Sequence, residues 1–204
     1  MSISSARRLL RKAESAKSVL RQNLLLAAAL SEVIQPPPVV VGGTAEEFWG
    51  GHEYHETDLD LVGYLTPQDR DSLKALGFER RGREWIRKGT PFVIEFPDTR
   101  LDGDDHRIET RRIGGGTVRI IGLDDLYVDR LKQATANQSH EDIHFHSALA
   151  VAASRYDDIN WRYVAAQIAA TLKSEPHVGQ AMRRVNSRIR SRARRALSRR
   201  AGAP

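Results

Sequence analysis

The stretch Val39–Leu61 constrains the fold more strongly than any other part of this chain of 204 residues. It opens with three valines, Val39–Val41, which are followed by two glycines and a threonine. A segment compatible with a helix comes next, and a second apolar run then carries Asp58 and Asp60. Because side chains alternate between the two faces of a strand, both aspartates project to one side while the neighbouring leucines enter the core. The stretch predicts two strands joined by a short helix, with paired carboxylates on one face.

Paired carboxylates and a glycine turn are together the parts of a site for a metal-bound nucleotide. Two adjacent carboxylates repel each other, and a divalent cation bound through oxygen is the usual remedy. Gly42 and Gly43 let the backbone approach a phosphate closely, and the amides of the helix that starts near Thr44 point towards its negative charge.

These two motifs resemble the nucleotidyltransferase superfamily with the polymerase-β-like catalytic fold. Val41–Thr44 matches the end of that family's first strand and its Gly-Gly or Gly-Ser pair, and Thr57–Leu61 matches its Asp-x-Asp strand, across a slightly longer gap than usual. Within that superfamily the chain resembles bacterial nucleotidyltransferases of the kind found in toxin–antitoxin and abortive-infection systems. The resemblance extends over Val39–Trp161.

The resemblance implies roles for residues outside the two motifs. Lys132 and Asp142 are the counterparts of the family's helical lysine and later aspartate, and both would act in catalysis. Two Mg²⁺ ions would be held by Asp58, Asp60 and Glu95, although the family more often has aspartate at the third position. The implied fold is α+β: a mixed sheet with flanking helices, followed by a helical C-terminal half, with the nucleotide between the two.

The implied reaction transfers a nucleoside monophosphate from a nucleoside triphosphate, such as ATP, to a hydroxyl group and releases pyrophosphate. Gly42, Gly43 and Thr44 would hold the β- and γ-phosphates, and Lys132 would neutralise the charge that accumulates on them. Most of the rate gain would come from positioning and charge neutralisation.

Glu95 also attracts attention on its own, because it is the one acid inside the apolar run Pro91–Pro97. A carboxylate is costly to bury without a partner, so we expect a cation beside it. That cation is either a metal ion or an arginine at the edge of the sheet.

Composition limits the class of protein. A hydrophobic fraction of 40% is sufficient for a real core. The absence of cysteine excludes disulfides and thiolate zinc sites, and fits a reducing compartment. No segment approaches a membrane span and the basic N-terminus is not followed by a long apolar stretch, so we expect a cytoplasmic protein with no membrane contact.

Positive charge is concentrated at the C-terminus. The chain carries a formal charge of +6, and Arg183–Arg200 contains nine arginines and no acid. Such a segment favours a polyanionic partner, and RNA, as in a tRNA-like acceptor, is the one that we predict. The alternative is a solvated helix without a ligand. In a toxin–antitoxin system, a cognate antitoxin protein is a further partner.

The chain divides into four predicted segments. Apolar residues recur at helical spacing from Leu9 to Ile34 and predict one long amphipathic helix. The three prolines at 36–38 terminate it. The segments are an N-terminal helix over 1–35, the catalytic core over 36–121, a helical subdomain over 122–174 and an arginine-rich tail over 175–204.

Turn and cap residues predict further elements inside these segments. Thr66 and Pro67 open a helix that ends at Leu76, because threonine caps a helix and proline fits its first turn. Gly82 divides a first hairpin, and the triplet after Ile113 divides a second one. The predicted strands and helices are 78–81, 84–87, 91–97, 107–113, 117–121, 141–153 and 163–172.

Three other functions remain open from the sequence. His140, Glu141 and His144 satisfy the spacing of a zinc metalloprotease helix, but no third ligand follows convincingly. A nucleotidyltransferase could instead modify a small molecule, as the antibiotic-type enzymes do, or a protein. A non-catalytic nucleic-acid-binding module is the last alternative, although a lapsed site has no reason to keep Asp58, Asp60 and Gly43 together.

Overall fold

The computed structural model describes residues 2–50, 58–136 and 143–201. The chain forms two compact units. The first comprises Met1–Phe48 and Glu53–Gly122, and the second comprises Trp49–His52 and Leu123–Pro204. The N-terminal segment 1–35 therefore lies in the same unit as the sheet, and the arginine-rich segment lies in the same unit as the other C-terminal helices.

The first unit is built on one mixed sheet. Among the described residues its seven strands follow the order β3-β4-β5-β2-β1-β7-β6, in which β1 pairs with β7 and β2 pairs with β5 in parallel while the other pairs are antiparallel. The predicted mixed sheet with flanking helices is confirmed. The elements are α1 (Ile3–Glu14), α2 (Val19–Ser31), β1 (Val39–Val40), α3 (Gly42–Gly50), β2 (Asp58–Val62), α4 (Pro67–Ala75), β3 (Phe78–Arg81), β4 (Glu84–Arg87), β5 (Val93–Asp98), a 3₁₀ turn (Asp105–Arg107), β6 (Glu109–Ile113) and β7 (Gly116–Ile120).

The prediction of one long N-terminal helix is wrong, because α1 ends at Glu14 and a separate helix, α2, begins after its N-cap residue Ser18. The Ser18 hydroxyl caps α2 by accepting a hydrogen bond from the backbone N–H of Arg21. The two helices pack against each other, and every residue of Leu24–Leu30 in α2 is buried. A helix that is apolar all round has to lie inside the protein, and a straight continuation of α1 would have left this run without cover.

The turn and cap residues of the sheet region were interpreted correctly. Thr66 and Asp69 form a capping box at the start of α4, each side chain accepting from the other's backbone N–H. The first hairpin has the predicted bounds, and Gly82 occupies its turn at φ 62°. Its neighbour β5 is a strand from Val93 to Asp98, inside the sheet as predicted for the run that contains Glu95.

The second unit consists of four helices in the part of the chain that the structure describes. Their bounds are α5 (Leu123–Ala136), α6 (Ile143–Ser154), α7 (Trp161–Ser174) and α8 (Pro176–Ala201). Buried carboxylates connect them: Asp124 accepts from the backbone N–H of Asn160 at 2.7 Å, and Asp125 accepts from the Tyr163 hydroxyl at 2.5 Å. No described helix combines the length and the apolarity that crossing a bilayer requires.

The arginine-rich segment is an integral helix of this unit, and the description of it as a tail is wrong. Helix α8 packs against α5, α6 and α7. Its inward face carries small and apolar residues at helical spacing, namely Ala181, Met182, Val185, Ile189 and Ala193, all of them buried. This apolar stripe is the signal of a packed helix, and in the sequence it is masked by the arginines between its members.

Candidate active site

Three carboxylate side chains project from the same face of the central sheet. Asp60 on β2 and Glu95 on β5 are partners in the parallel register, and Asp58 stands two residues before Asp60. Paired residues on adjacent strands project to the same side, as do residues i and i+2. Leu59 and Leu61 are fully buried on the opposite face. The sheet therefore presents Asp58, Asp60 and Glu95 on one surface.

Gly42 allows the Asp60 carboxylate to lie against the start of α3. The backbone N–H of Val41 donates to the carbonyl of Asp60 at 3.0 Å, which fixes β2 beside the turn. Gly42 has φ 62°, in the left-handed region. A Cβ placed there would overlap Asp60 Oδ2 and lie 2.9 Å from Asp60 Cγ. Glycine is thus required both by the backbone conformation and by the carboxylate beside it.

The side chain of Thr44 is part of the core. Its Oγ1 accepts a hydrogen bond of 2.9 Å from Nδ2 of Asn23, and both residues are buried. This bond connects α3 to α2 beneath the glycine turn. The Thr44 hydroxyl is therefore engaged in the core, and only the backbone amide of Thr44 could make the predicted contact with a phosphate. This amide is among the first of α3, which have no acceptor within the helix.

Asn23, the buried hydrogen-bond partner of Thr44, was not identified from the sequence. The available signal was an asparagine directly before the apolar run Leu24–Leu30. A buried polar side chain at such a position needs a partner, and a hydroxyl is one of the groups that supply it. The partner lies in another motif, so its identity requires the fold.

We expect Asn23→Ala to lower the free energy of unfolding by about 1–3 kcal/mol, because it leaves the Thr44 hydroxyl buried without its donor. Urea unfolding followed by circular dichroism measures the change. Gln22→Ala, at the neighbouring and more exposed position, is the control and should have a much smaller effect. Equal losses in the two variants would contradict a specific role for the Asn23–Thr44 bond.

Glu95 contacts an arginine as well as sharing the face of Asp60. Nε of Arg83 lies 3.5 Å from Oε2 of Glu95, and the Arg83 side chain is 86% exposed while that of Glu95 is 17% exposed. Arg83 stands at the turn between β3 and β4, at the edge of the sheet. The arginine alternative is therefore present in the structure, and the register beside Asp60 also fits the role of a third carboxylate.

The donor chemistry of this face suits Mg²⁺, which prefers carboxylate and water oxygens. Asp58 and Asp60 supply two carboxylates two residues apart on one strand. Among the residues that the structure describes, no group of three or more His, Cys, Asp or Glu side chains is arranged to hold a metal ion. The fit therefore rests on two residues, and Glu95 is the candidate for the third.

Of the remaining predicted residues, the described ones do not lie on this sheet. Lys132 is on α5 of the second unit, partly exposed, and its carbonyl accepts a hydrogen bond from the Thr135 hydroxyl. Asp142 lies outside the described residues, as do His140 and Glu141 of the zinc motif, whereas His144 is on the first turn of α6. The roles of Lys132 and Asp142 stay predictions.

One solved structure supports the fold, and two others show weaker similarity. A crystal structure of an antigenic nucleotidyltransferase-like protein from Paracoccidioides brasiliensis aligns with 82% of this chain and 94% of its own, at 15% identity and a TM-score of 0.51. The solution structure of the antibiotic-resistance factor ANT(2'')-Ia aligns over 78% of this chain and 94% of its own, at 16% identity and a TM-score of 0.49. JHP933 from Helicobacter pylori aligns over 91% and 98%, at 13% identity and a TM-score of 0.37.

The chain thus has a nucleotidyltransferase-like fold, and the predicted resemblance to that superfamily is confirmed at the level of the fold. No protein-family model matches the sequence, and a comparison with curated proteins gives no match either.

Proposed function

We propose that this protein is a Mg²⁺-dependent nucleotidyltransferase that moves a nucleoside monophosphate from a nucleoside triphosphate to a hydroxyl group. One observation carries the proposal: in a nucleotidyltransferase-like fold, the Asp60 carboxylate lies against Gly42 at the start of α3, on the face that also bears Asp58. This arrangement places a carboxylate pair next to a helix N-terminus, which is a favourable place for phosphate.

Each residue then has a distinct task. Asp58 and Asp60, with Glu95 as third carboxylate, would hold Mg²⁺, which when bound neutralises phosphate charge and lowers the pKa of an attacking hydroxyl. The first backbone amides of α3, at Gly43 and Thr44, donate to phosphate oxygens. The Asn23–Thr44 hydrogen bond keeps these amides in place, so little reorganisation is needed when the nucleotide binds.

Lys132 and Asp142 complete the proposed machinery. A lysine ammonium group near the triphosphate offsets the charge that pyrophosphate carries as it leaves. We propose RNA as the acceptor, because α8 concentrates positive charge without any acid. Action as a toxin restrained by a cognate antitoxin protein is part of the same proposal and rests on the family resemblance alone.

Transfer is tested by incubating the purified protein with each α-labelled nucleoside triphosphate, Mg²⁺ and total RNA. The expected result is label in an RNA band, with one triphosphate preferred, and none when Mg²⁺ is chelated. Label in a protein band, or in an added small acceptor of the aminoglycoside type, would support the transferase assignment but contradict RNA as the acceptor. Zinc-dependent proteolysis without any transfer would overturn the proposal.

We expect Glu95→Gln to reduce transfer by at least about tenfold, because it removes a negative charge from the metal-binding face. Arg83→Gln is the matched control, since it breaks the same ion pair from the exposed side. Because Arg83 is exposed, the pair contributes only about 0–1 kcal/mol, and Arg83→Gln should change stability little. If the two variants lose equal activity, Glu95 acts only through Arg83 and the third carboxylate is elsewhere.

A further inference from the structure

Six arginines of α8 form two sets with different surroundings. Arg188 and Arg192 place their guanidinium groups over the ring of Phe145 on α6, at 5.1 and 5.4 Å from its centroid. A second set, Arg183, Arg190, Arg194 and Arg195, lines a groove of about 590 Å³ on a different face of α8. The first set helps to pack two helices together, whereas the second set surrounds open space.

The groove offers hydrogen-bond donors and positive charge. Asn186, Ser187, Ser191 and Tyr156 line it together with the second arginine set. The amide oxygen of Asn186 already accepts from the Tyr127 hydroxyl at 2.8 Å, so its NH₂ group is the end that remains for a ligand. None of the described residues that line the groove is acidic. Such a lining selects an anion with several acceptor oxygens.

Arg190 is held in position before any ligand binds. Its guanidinium lies 4.5 Å from the centroid of the Trp161 ring, and the Tyr156 ring packs against the same tryptophan at 4.9 Å. Its Nε is buried and has no hydrogen-bond acceptor among the described residues. The face of Trp161 therefore orients the Arg190 guanidinium, and no carboxylate lining the groove neutralises it. An anion that enters the groove would meet a preorganised cation.

The shape of this arginine set fits a strand of phosphates. Arg183, Arg190 and Arg194 recur at helical spacing on one face of α8. At about 1.5 Å of rise per residue, the first and last are roughly 16 Å apart along the helix axis. A single phosphate ion cannot contact both ends, whereas the backbone of a nucleic acid presents several phosphates over that length.

We propose that this α8 groove is a binding site for the phosphate backbone of RNA. Naming RNA as the ligand rests on the proposed function; the assignment of a polyphosphate strand rests on the groove itself. Arg183 and Arg194 contact separate phosphates, Arg190 contacts a phosphate between them, and Asn186 donates to a neighbouring oxygen. Because α8 is part of the core of its unit, point substitutions test the groove and truncation does not.

The test compares two double variants with equal loss of charge. Arg183→Gln/Arg194→Gln removes two groove arginines, and Arg184→Gln/Arg199→Gln removes two exposed arginines of α8 that do not line the groove. Binding of a fluorescently labelled single-stranded RNA is measured by anisotropy at several salt concentrations, with no nucleotide or Mg²⁺ present. Circular dichroism melting verifies that both variants are folded.

We expect the groove variant to bind RNA at least about tenfold more weakly than the wild type, since each phosphate contact contributes through released counterions. The slope of log affinity against log salt should fall in magnitude by about 1.4, since about 0.7 belongs to each phosphate contact of a single strand. The control variant should change much less in both respects. Equal losses in the two variants would mean diffuse attraction and would overturn the groove as a site.

Two further arms distinguish the source of the anion. Inorganic phosphate at constant ionic strength should not displace the RNA. Displacement would show that the groove binds single phosphate ions and would contradict a site for a strand of phosphates. Polyglutamate should bind more weakly than RNA, and tighter binding that depends on the same arginines would indicate an acidic protein partner instead. Because these assays contain no triphosphate, they can fail while transfer activity persists, and they can succeed if the transferase assignment is wrong.

Discussion

Replacing Asp58 or Asp60 with asparagine is expected to lower transfer by at least about a hundredfold while the protein remains folded. Asparagine keeps the shape of the side chain and removes the negative charge that would hold Mg²⁺. Both aspartates are partly exposed, and their like charges repel, so the neutral variants should melt no lower than the wild type. Label transfer to RNA and circular dichroism melting measure the two effects.

Asp71→Asn is the control for these variants. Asp71 lies on α4, 73% exposed, and pairs with Lys74, which is 65% exposed. Its replacement changes the net charge by the same amount and should leave transfer intact. Full activity in Asp60→Asn, with the control also active, would contradict the assignment of the carboxylate face as the metal site.

Gly42→Ala is expected to have the second large effect, since the added methyl group would displace the Asp60 carboxylate that lies against Gly42. A Cβ at this position overlaps the Asp60 carboxylate and also forces alanine into the left-handed region. The backbone conformation alone costs about 1–2 kcal/mol. Displacing a catalytic group by about 1 Å costs up to roughly a hundredfold in rate, so transfer should be lost together with stability.

Gly82→Ala separates these two causes. Gly82 has the same φ of 62°, in the turn between β3 and β4, and a Cβ there meets no described heavy atom within 4 Å. This variant should show the conformational cost without loss of transfer. Comparing urea midpoints and transfer rates therefore isolates the contact with Asp60. Loss of transfer in Gly82→Ala equal to that in Gly42→Ala would mean that strain, and not the carboxylate, explains the effect.

Local signals in the sequence predicted much of the sheet. The capping box at Thr66, the hairpin around Gly82 and the i, i+2 spacing of Asp58 and Asp60 each depend on residues close together in the chain, so spacing is sufficient to identify them. The break between α1 and α2 was missed, because Leu9–Ile34 continues at helical spacing across it and only the cap at Ser18 marks the new start.

The finer geometry of the candidate site could not be predicted, because it depends on tertiary contacts. Gly42 was interpreted as a residue that admits a phosphate, and only the register of β1 with β2 brings it against Asp60. The bond between Asn23 and Thr44 joins two motifs through the core. The arginines of α8 were recognised as one basic segment, yet their division between Phe145 and the groove follows from which side of a packed helix each one occupies.

The short strand β1 has a consequence for how the nascent protein folds. It lies between β2 and β7, and Arg119 on β7 reaches back to the carbonyl of Pro37, 82 residues apart in the chain. At about 5–20 residues per second, a ribosome needs several seconds to add that length. During this interval one edge of β1 has no strand beside it, because parallel partners far apart in sequence pair late. β1 is therefore enclosed on both sides only after β7 has left the ribosome, whereas the carboxylate strand β2 has both of its neighbours, β1 and β5, earlier.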